Sequence, residues 1–504
     1  MKIRIGTRKS ELARIQAELV GVALASLSKG YKLEYHLQQS EGDKDRNTPL
    51  WKLPDKGVFT RDLSELLLKG EIDLAVHSWK DLPLLEGQDT AVIGTLPRAD
   101  MRDLLLIRKD CWPKILSSSS IRILSSSPRR MFNIKDFLLW ALPAEIKTVD
   151  FASVRGNIQT RLRKLFESDS DGIVVAKAGI DRLLGAEDPE YEKVRQEVQS
   201  AISACYWTVV PLSVNPGAPA QGALAIEALK TRADLVEIVS HINCKETFSC
   251  VQHEREVLRC YGGGCHQKIG MSVLERPFGR LSILRGETNE GLRLEELKLE
   301  SKKPKAPKCV QGSYWPSDDE EGSFFEAVPL ESLSQPNEDA ALWVSKSSAL
   351  PTHWRISFDT ICWTAGLDTW KKLSKRGIWV HGSSESLGEK EPRLLEQLVS
   401  PHKSWVKLSH KNAPTSDGML LCPTYELSPK SEMPKLQGKT HFYWRSSSAF
   451  SEALKHYPQI ASAWHACGPG NTYEGIKKLL GNDERLSIYL SYEAWQRDIM
   501  ECSP

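Results

Sequence analysis

The stretch Asp73-Leu-Ala-Val-His-Ser-Trp-Lys-Asp-Leu-Pro83 joins a short apolar run to a polar turn. Short apolar runs of this kind are typical of buried strands, and parallel sheets carry their sites at the carboxyl ends of the strands. The polar side chains that follow this strand are Ser78, Lys80 and Asp81. Taken alone, the turn is equally compatible with a solvated loop. The pattern therefore predicts a strand and, directly after it, a candidate site.

Strand-like runs alternate with amphipathic helical runs through the first half of the chain. The predicted strands are Lys2–Ile5, Ile72–His77, Ala91–Leu96, Leu104–Ile107, Ile121–Ser125, Ile173–Ala176 and Leu224–Ile226. The predicted helices are Ser10–Ser28, Arg61–Lys69, Arg130–Trp140 and Ile158–Glu167. This alternation predicts α/β layers with mainly parallel sheets, and the size of the region favours two such domains.

The pattern changes from Met271 onward. Two shorter strand-like stretches, Gly279–Glu287 and Leu292–Leu299, predict a small α+β unit with antiparallel strands. The following residues, 302–340, are rich in Pro, Lys, Asp and Glu and poor in apolar side chains, which is typical of a linker.

Beyond this linker, the chain contains a weak internal repeat with an offset of about 100 residues. Trp343–Ala349 resembles Trp444–Ala449, and Thr364–Leu373 resembles the segment that begins at Cys467. Each copy predicts a strand, a Ser-rich turn, a helix, a strand, and a Gly- and Thr-containing turn that opens another helix, where free backbone N–H groups favour anions. The C-terminal region is therefore predicted to be a bilobed α/β structure.

Composition excludes several classes of protein. The 504 residues include 67 Lys and Arg against 65 Asp and Glu, so the net charge of +2 gives no overall field for nucleic acid or an anionic membrane. The N-terminus lacks the apolar core of a signal peptide, and no apolar run reaches the roughly 18 residues of a membrane span. The 11 Cys show no zinc-type spacing. We therefore expect a cytoplasmic protein without a metal site.

A glycine loop carries a candidate nucleophile. Cys265 follows three glycines in Arg259-Cys-Tyr-Gly-Gly-Gly-Cys265, and such a loop makes a thiol accessible for covalent attachment. The alternative is a structural Cys beside a tight turn. Cys260 is a competing thiol, but it adjoins the helical run Glu254–Arg259, so Cys265 is preferred.

Arginines recur at the boundaries of the predicted elements in the first half. Because guanidinium groups bind carboxylates through two hydrogen bonds, this distribution suits a polycarboxylate ligand, whereas a lone Arg would more simply form a surface salt bridge. The five positions are Arg8, Arg129, Arg130, Arg155 and Arg161.

Seven motifs, in this order along the chain, resemble those of the hydroxymethylbilane synthase family, also called porphobilinogen deaminase. They are Gly6-Thr-Arg8-Lys-Ser10, Lys56-Gly-Val-Phe59, Ala75-Val-His-Ser-Trp-Lys-Asp-Leu-Pro83, Ser126-Ser-Pro-Arg-Arg130, Val154-Arg-Gly-Asn-Ile-Gln-Thr-Arg-Leu162, Gln221-Gly-Ala223 with Glu227, and Gly263-Gly-Cys265. Each motif is weak alone, but seven in sequence are specific.

The resemblance implies an enzyme of porphyrin biosynthesis that polymerises four porphobilinogen molecules into hydroxymethylbilane and releases ammonia. It implies that Cys265 holds a dipyrromethane cofactor by a thioether and that Asp81 is the catalytic carboxylate. The implied cofactor-binding residues are Ser78, Lys80, Ser126, Ser127, Arg129, Arg130, Arg155 and Asp43. The implied substrate-binding residues are Arg8, Ser10, Arg161, Lys56, Phe59 and Gln221.

The resemblance also implies a domain plan of two doubly wound, hinge-connected α/β domains plus a small α+β domain. The implied ranges are 1–101 with 219–238 for the first domain, 102–218 for the second, 239–302 for the third with the cofactor Cys, and 303–340 as a linker or the end of the third domain. The stretch Ala186–Ala218 is longer than is usual in the family.

Residues 341–504 resemble, less strongly, uroporphyrinogen-III synthase, whose two lobes are similar α/β units. The matching features are the Ser-Ser-Ala turns and the Gly-to-Thr turns, which supply the candidate site residues Ser347, Thr369, Ser447 and Thr472. This resemblance implies a second activity, in which the linear hydroxymethylbilane is cyclised to uroporphyrinogen III.

Two other readings stay open. The C-terminal half could be an inactive interaction module, or the two-domain α/β region could be a hinge-type anion-binding protein. Such binders are usually exported and need no thiol in a glycine loop. We expect a monomer whose partners are porphobilinogen and hydroxymethylbilane, with no nucleic acid and no membrane.

Overall fold

The computed structural model of the chain describes residues 1–27, 29–38, 61–84, 87–262, 267–310, 312–317, 323–331, 333–416 and 418–500. It divides into two compact units. The first comprises Met1–Glu275 and Ser282–Leu297, and the second comprises Arg276–Leu281 and Lys298–Pro504. The fold is mixed α/β with several sheets, as the sequence predicts.

The first unit begins with a five-stranded sheet of order β2-β1-β3-β10-β4. Its strands are β1 (Lys2–Arg8), β2 (Lys32–Gln38), β3 (Leu74–Ser78), β4 (Thr90–Gly94) and β10 (Leu224–Leu229). Strand β1 is parallel to β2 and β3, whereas β10 is antiparallel to both β3 and β4. The sheet is therefore mixed, because the chain returns to it through β10.

Three helices accompany this sheet: α1 (Glu11–Ala25), α2 (Arg61–Leu68) and α8 (Ala233–Ser240). The apolar side chains of β1, β3, β10, α1 and α8 form one buried cluster. The hydroxyl of Ser10 caps α1 by accepting a hydrogen bond from the backbone N–H of Ala13 at 3.4 Å. The helix thus begins directly after the end of β1.

A second five-stranded sheet repeats this plan in the order β7-β6-β8-β5-β9. Its strands are β5 (Asp103–Arg108), β6 (Ser120–Leu124), β7 (Thr148–Ala152), β8 (Gly172–Ala176) and β9 (Cys205–Val210). Strand β6 is parallel to β7 and β8, and β5 is antiparallel to β8 and β9. Its helices are α3 (Trp112–Ser118), α4 (Pro128–Ala141), α5 (Ile158–Glu167), α6 (Lys177–Leu184) and α7 (Glu192–Ser203).

The chain crosses between the two sheets twice, between β4 and β5 and again between β9 and β10. The first crossing holds Asp100 and Arg102, and the second holds Asn215 and Gln221, all of which are buried. These crossings bring buried polar groups to the junction of the two sheets.

Helix α9 (Lys245–Cys260) precedes a three-stranded sheet of order β11-β12-β13. Its strands are β11 (Gly270–Arg276), β12 (Gly279–Glu287) and β13 (Arg293–Ser301). Buried side chains of α9, such as Cys250 and Leu258, pack with Met271 and Val273 of β11. This is the region in which the sequence predicts a small α+β unit.

The second unit contains a four-stranded sheet of order β14-β21-β22-β23 and a six-stranded sheet of order β15-β20-β19-β16-β17-β18. The strands are β14 (Tyr314–Trp315), β15 (Phe325–Pro329), β16 (Ala341–Val344), β17 (Cys362–Thr364), β18 (Gly382–Ser383), β19 (Trp405–His410), β20 (Met419–Pro429), β21 (His441–Trp444), β22 (Trp464–Cys467) and β23 (Leu486–Ile488). The helices are α10 (Leu367–Ser374), α11 (Ser447–His456), α12 (Asn471–Leu480) and α13 (Tyr492–Ile499).

The two copies of the sequence repeat occupy corresponding places in these sheets. Trp343 lies in β16, which pairs in parallel with β17, and Trp444 lies in β21, which pairs in parallel with β22. A helix follows in each copy, namely α10 after β17 and α12 after β22. The similarity in sequence is therefore matched by a similarity in strand order.

The range 303–340, for which we predict a linker or the end of a third domain, contains β14 and β15. Trp315 of β14 is 1% exposed and packs against Trp444, and β15 pairs antiparallel with the second half of β20. A Pro- and charge-rich composition therefore does not prevent this stretch from contributing to both sheets. Among the described helices, none has the length and apolarity that a membrane crossing requires.

Candidate active site

The turn Trp79–Asp81 directly follows β3 and is held by its apolar residue. Trp79 is buried, and its backbone N–H donates to the carbonyl of Ala223 at 3.1 Å. The centroid of its ring lies 5.2 Å from that of Phe248. Ser78 Oγ lies 3.0 Å from the side-chain amide nitrogen of Gln16. The anchored turn leaves the Asp81 side chain exposed beside the partly buried Lys80.

Positive groups from the second sheet approach this turn. Burial lowers the pKa of Lys80 to about 8, and repulsion from Arg130 and Arg129 adds to this, while Asp81 and Asp103 oppose it. Burial and Arg130 likewise lower the pKa of Arg161 to about 10, against the attraction of Asp81. Lys80 and Arg161 therefore each lie within electrostatic range of both Asp81 and Arg130.

Arg129 and Arg130, at the start of α4, both bind the buried carboxylate of Asp103. Arg130 donates from Nη2 and Nε to the two oxygens at 2.7 and 2.9 Å, and Arg129 donates from Nη2 at 2.9 Å. Burial opposes the ionisation of Asp103, but Arg130 and Arg129 outweigh it and hold its pKa far below the usual range. In this structure the two arginines are thus engaged with the protein itself.

The two crossings between the sheets complete this cluster. Asn215 Nδ2 and Gln221 Nε2 donate to Asp103 at 2.8 and 2.9 Å, and Gln221 also donates to the carbonyl of Met101 at 2.7 Å. Gln221, a predicted substrate-binding residue, is therefore placed at the junction of the two domains. Sequence reasoning did not select Asp103 or Asn215. The available signal was an Asp at the start of the apolar run Leu104–Ile107, since a buried carboxylate requires partners.

Arg155 and Arg161 lie around the turn that opens α5. Arg161 Nε donates to the carbonyl of Gly156 at 2.8 Å. The Nη1 atom of Arg155 is buried and has no hydrogen-bond partner among the described residues. Arg155 lies within electrostatic range of Arg161, and a buried guanidinium donor without a partner among the described residues suits a carboxylate-bearing cofactor. The residues present therefore fit a dipyrromethane, whose side chains end in carboxylates.

Four of the remaining predicted site residues of the first unit lie in the described part of the chain, and four do not. Ser126 Oγ bonds to Ser153 Oγ and the carbonyl of Val154, each at 2.8 Å, and Ser127 and Ser10 cap helices α4 and α1. Arg8 ends β1 and is partly exposed. The others, Asp43, Lys56, Phe59 and Cys265, lie outside the described residues. The competing thiol of Cys260 is at the end of α9 and is exposed.

In the second unit the four predicted residues divide between the two sheets. Ser347 begins a turn after β16, and Thr369 is buried in α10. Ser447 begins α11, and Thr472 lies in the first turn of α12. The structure thus places one pair beside each of the two sheets.

A polar contact that sequence reasoning missed joins the two lobes of this unit. The buried carboxylate of Glu389 accepts hydrogen bonds from Lys407, from the backbone N–H of Ser416 at 2.5 Å and from Asn471 Nδ2 at 3.0 Å. Asn471 begins α12 in the other lobe. Glu389 therefore connects the loop after β18 to the start of α12.

A second missed group lies where β16, β19 and β20 run side by side. The Lys346 ammonium lies 3.8 Å from the ring centroid of Tyr425, and the His410 ring lies 6.1 Å from the same centroid. Burial raises the pKa of Tyr425 and lowers the pKa values of Lys346 and His410. This half-buried basic and phenolic group could receive an anion. The described residues hold no cluster of three or more metal-ligating side chains.

The comparisons with known proteins match the N-terminal part of the chain. A family model described as porphobilinogen deaminase, dipyrromethane cofactor binding domain, matches residues 3–237, within the first unit. The porphobilinogen deaminase of Syntrophomonas wolfei is 36% identical over 281 residues, covering 56% of this chain and 83% of that protein. The porphobilinogen deaminase of Desulfitobacterium hafniense is 37% identical over 268 residues, covering 53% and 79%. The chain belongs to the porphobilinogen deaminase family.

Among solved structures, a periplasmic sulfonate-binding protein from Methylobacillus flagellatus is similar with a TM-score of 0.28 and 13% identity. The match covers 51% of this chain and 72% of that chain. A similarity this low does not define a shared fold.

Proposed function

We propose that the first unit is a hydroxymethylbilane synthase, which joins four porphobilinogen molecules head to tail and releases one ammonia for each. Family membership supports porphobilinogen deaminase activity for the N-terminal region. The observation that carries the site is the exposed carboxylate of Asp81, which lies within electrostatic range of Lys80 and Arg161. The Asp81 carboxylate can stabilise a cationic reaction intermediate, while the surrounding Lys and Arg side chains can bind the carboxylates of the substrate.

In this mechanism Asp81 accepts a proton and stabilises positive charge on the substrate. Its carboxylate accepts hydrogen bonds from pyrrole N–H groups and stabilises the positive charge that develops as ammonia leaves. It then takes up the proton that the attacked ring carbon loses when the new carbon–carbon bond is complete. Lys80, Arg155 and Arg161 bind acetate and propionate groups and so orient each ring beside Asp81. A dipyrromethane held by Cys265 supplies the primer for the growing chain.

The experiment is incubation of the purified full-length chain with porphobilinogen, followed by intact-mass analysis and porphyrin assay. We expect a covalent dipyrromethane on the wild-type chain and on Cys260→Ser, and none on Cys265→Ser. Asp81→Asn should keep the cofactor and lose turnover by at least about a hundredfold, because general acid–base catalysis contributes that much. A cofactor that survives Cys265→Ser, or full turnover by Asp81→Asn, would overturn the assignment.

We propose in addition that the second unit cyclises hydroxymethylbilane to uroporphyrinogen III. The supporting observation is the pair of similar α/β lobes, bridged by Glu389 and Asn471 and carrying the basic group around Lys346. Such a reaction needs no metal, because the carboxylates of the substrate can be held by Lys346 and by backbone N–H groups. Linear hydroxymethylbilane closes spontaneously to the other isomer, so a linked cyclase would intercept it.

Product isomers decide this second proposal. The full chain given only porphobilinogen should yield the type III porphyrin, and Lys346→Met should shift the product toward type I while the exposed Lys371→Met does not. Type I alone from the wild-type chain would contradict the cyclase and favour an inactive interaction module. If the chain carries no cofactor and forms no porphyrin, the alternative of a hinge-type anion-binding protein is favoured. We further propose a cytoplasmic monomer that binds neither nucleic acid nor membranes.

A further inference from the structure

The long stretch Ala186–Ala218 forms a feature that the proposed chemistry does not use. It begins with the turn Pro189–Tyr191, continues as α7 and returns to the second sheet as β9. Asp188 starts the turn by accepting a hydrogen bond from the N–H of Glu190 at 2.8 Å. Val194, Val198 and Ala201 of α7 are buried. The stretch is therefore an ordered part of the second domain.

The turn Pro189–Tyr191 reaches helix α1, which belongs to the first domain. Tyr191 Oη donates to Glu18 Oε1 at 2.5 Å, and Arg14 forms an ion pair with Glu190. The Arg14 guanidinium also lies 5.4 Å from the ring centroid of Tyr191. Tyr191 is only 1% exposed, so its contacts with Glu18 and Arg14 lie in a buried setting. These four side chains connect the two domains away from the chain crossings.

A further contact ties the start of the same helix to the second domain. Gln159 of α5 donates from Nε2 to Glu11 Oε2 at 3.2 Å. Glu11 directly follows Ser10, and α5 carries Arg161, so this end of α1 lies beside the proposed site. Helix α1 is thus held at its start by α5 and at its middle by Glu190 and Tyr191.

We propose that Tyr191 and Glu190 are positioning residues for the synthase site: they hold α1, and with it Arg8 and Ser10, against the second domain. Helix α1 also packs against α6 of the second domain, and the hydrogen bonds and the ion pair fix its orientation on that surface. Since Arg8 and Ser10 sit immediately before α1, any rotation of the helix moves them relative to Arg161. The catalytic part of this inference rests on the proposed synthase function.

The test combines hydrogen exchange and kinetics on the full chain. Tyr191→Phe removes the donor of this hydrogen bond and Glu18→Ala removes its acceptor. Each should raise amide exchange in residues 11–25 about fivefold, as expected for one lost hydrogen bond. The double variant should match either single variant, because the two groups act on each other. Glu197→Ala, which truncates an exposed glutamate on α7, is the matched control and should leave α1 unchanged.

Steady-state kinetics then separates positioning from a merely structural role. Tyr191→Phe should raise the KM for porphobilinogen several-fold and change kcat less, because the displaced groups bind substrate and leave Asp81 in place. Unchanged exchange in α1, strictly additive effects, or an equal rise of exchange in β6 and β8 would overturn the inference. An unchanged KM in a variant with faster amide exchange in α1 would also overturn the inference. The exchange measurement needs no turnover, so it stands even if the synthase proposal fails.

Discussion

Arg130 holds both carboxylate oxygens of Asp103, at 2.7 and 2.9 Å, and Asp103 is completely buried. Asp103 begins β5 and Arg130 lies in the first turn of α4, so this ion pair joins a strand to a helix of the second domain. Asn215 and Gln221 bring the return crossing to the same carboxylate. Arg129 and Arg130 are thus oriented by one buried carboxylate.

Asp103→Asn should be strongly destabilising. The change leaves Arg129 and Arg130 as buried cations without a counter-charge, and breaking a buried ion pair in this way costs about 3–5 kcal/mol. Urea denaturation of the first unit measures the loss. Asp169→Asn is the control, because its ion pair with Arg122 is exposed and should contribute less than about 1 kcal/mol. Equal effects of the two substitutions would contradict the role given to Asp103.

Asp181 should make stability fall as the pH rises from 4 to 7. Burial raises its pKa to about 6 from a model-peptide value of 3.8, although Lys177 opposes this. The folded chain therefore holds this proton more tightly than the unfolded chain, so the stabilisation is complete below pH 4 and is lost as the pH passes 6. A difference of about 2 in pKa corresponds to about 3 kcal/mol at most.

The measurement for Asp181 is urea denaturation of the wild-type chain and of Asp181→Asn between pH 4 and 7. The stability of the wild-type chain relative to the variant should fall across that range. A constant difference would show that Asp181 keeps an ordinary pKa in the folded chain.

Lys80 should make substrate binding sensitive to alkaline pH. With its pKa lowered to about 8 by burial and by Arg130 and Arg129, the ammonium loses its charge above that pH and no longer attracts a carboxylate. The KM for porphobilinogen should rise between pH 8 and 9 in the wild-type enzyme and stay flatter in Lys80→Arg, whose guanidinium remains charged. Lys69→Arg, an exposed control, should follow the wild-type profile. Coincident profiles for all three would contradict the prediction.

Gly470→Ala should cost more stability than Gly481→Ala, although both glycines flank α12 with positive φ angles of 87° and 76°. A methyl group at Gly470 would lie 2.9 Å from the Cα atom of Gly388 in the other lobe, whereas the space at Gly481 is open. We expect a loss of about 1–2 kcal/mol at Gly481, which has the left-handed conformation. The loss at Gly470 should be larger, because its ψ of -143° lies in a region essentially restricted to glycine and the clash adds about 1–3 kcal/mol. Chemical denaturation of the second unit measures the loss of stability in each variant. Equal losses would show that Gly470 does not lie against Gly388.

Local signals predicted some elements well and others poorly. Helix Ile158–Glu167 is found with the predicted bounds, because Asn157 caps it and its apolar residues recur at helical spacing. Strand β2, Lys32–Gln38, was not predicted, since it is an edge strand whose partly exposed residues include Lys32, Glu34 and His36. Helix α7 was not predicted either, although Val194, Val198 and Ala201 form a buried face at helical spacing.

The sequence by itself determined the α/β class, the family and the turn that presents Lys80 and Asp81, because these depend on local periodicity and on motifs contiguous along the chain. Only the tertiary structure decided what Arg129 and Arg130 bind, since Asp103, Asn215 and Gln221 are brought together from distant segments. The same is true of Tyr191 and Glu18, which are separated by 173 positions and meet at 2.5 Å. A hydrogen bond or ion pair depends on distance in space, and no spacing along one chain specifies which remote partner the folded sheets will supply.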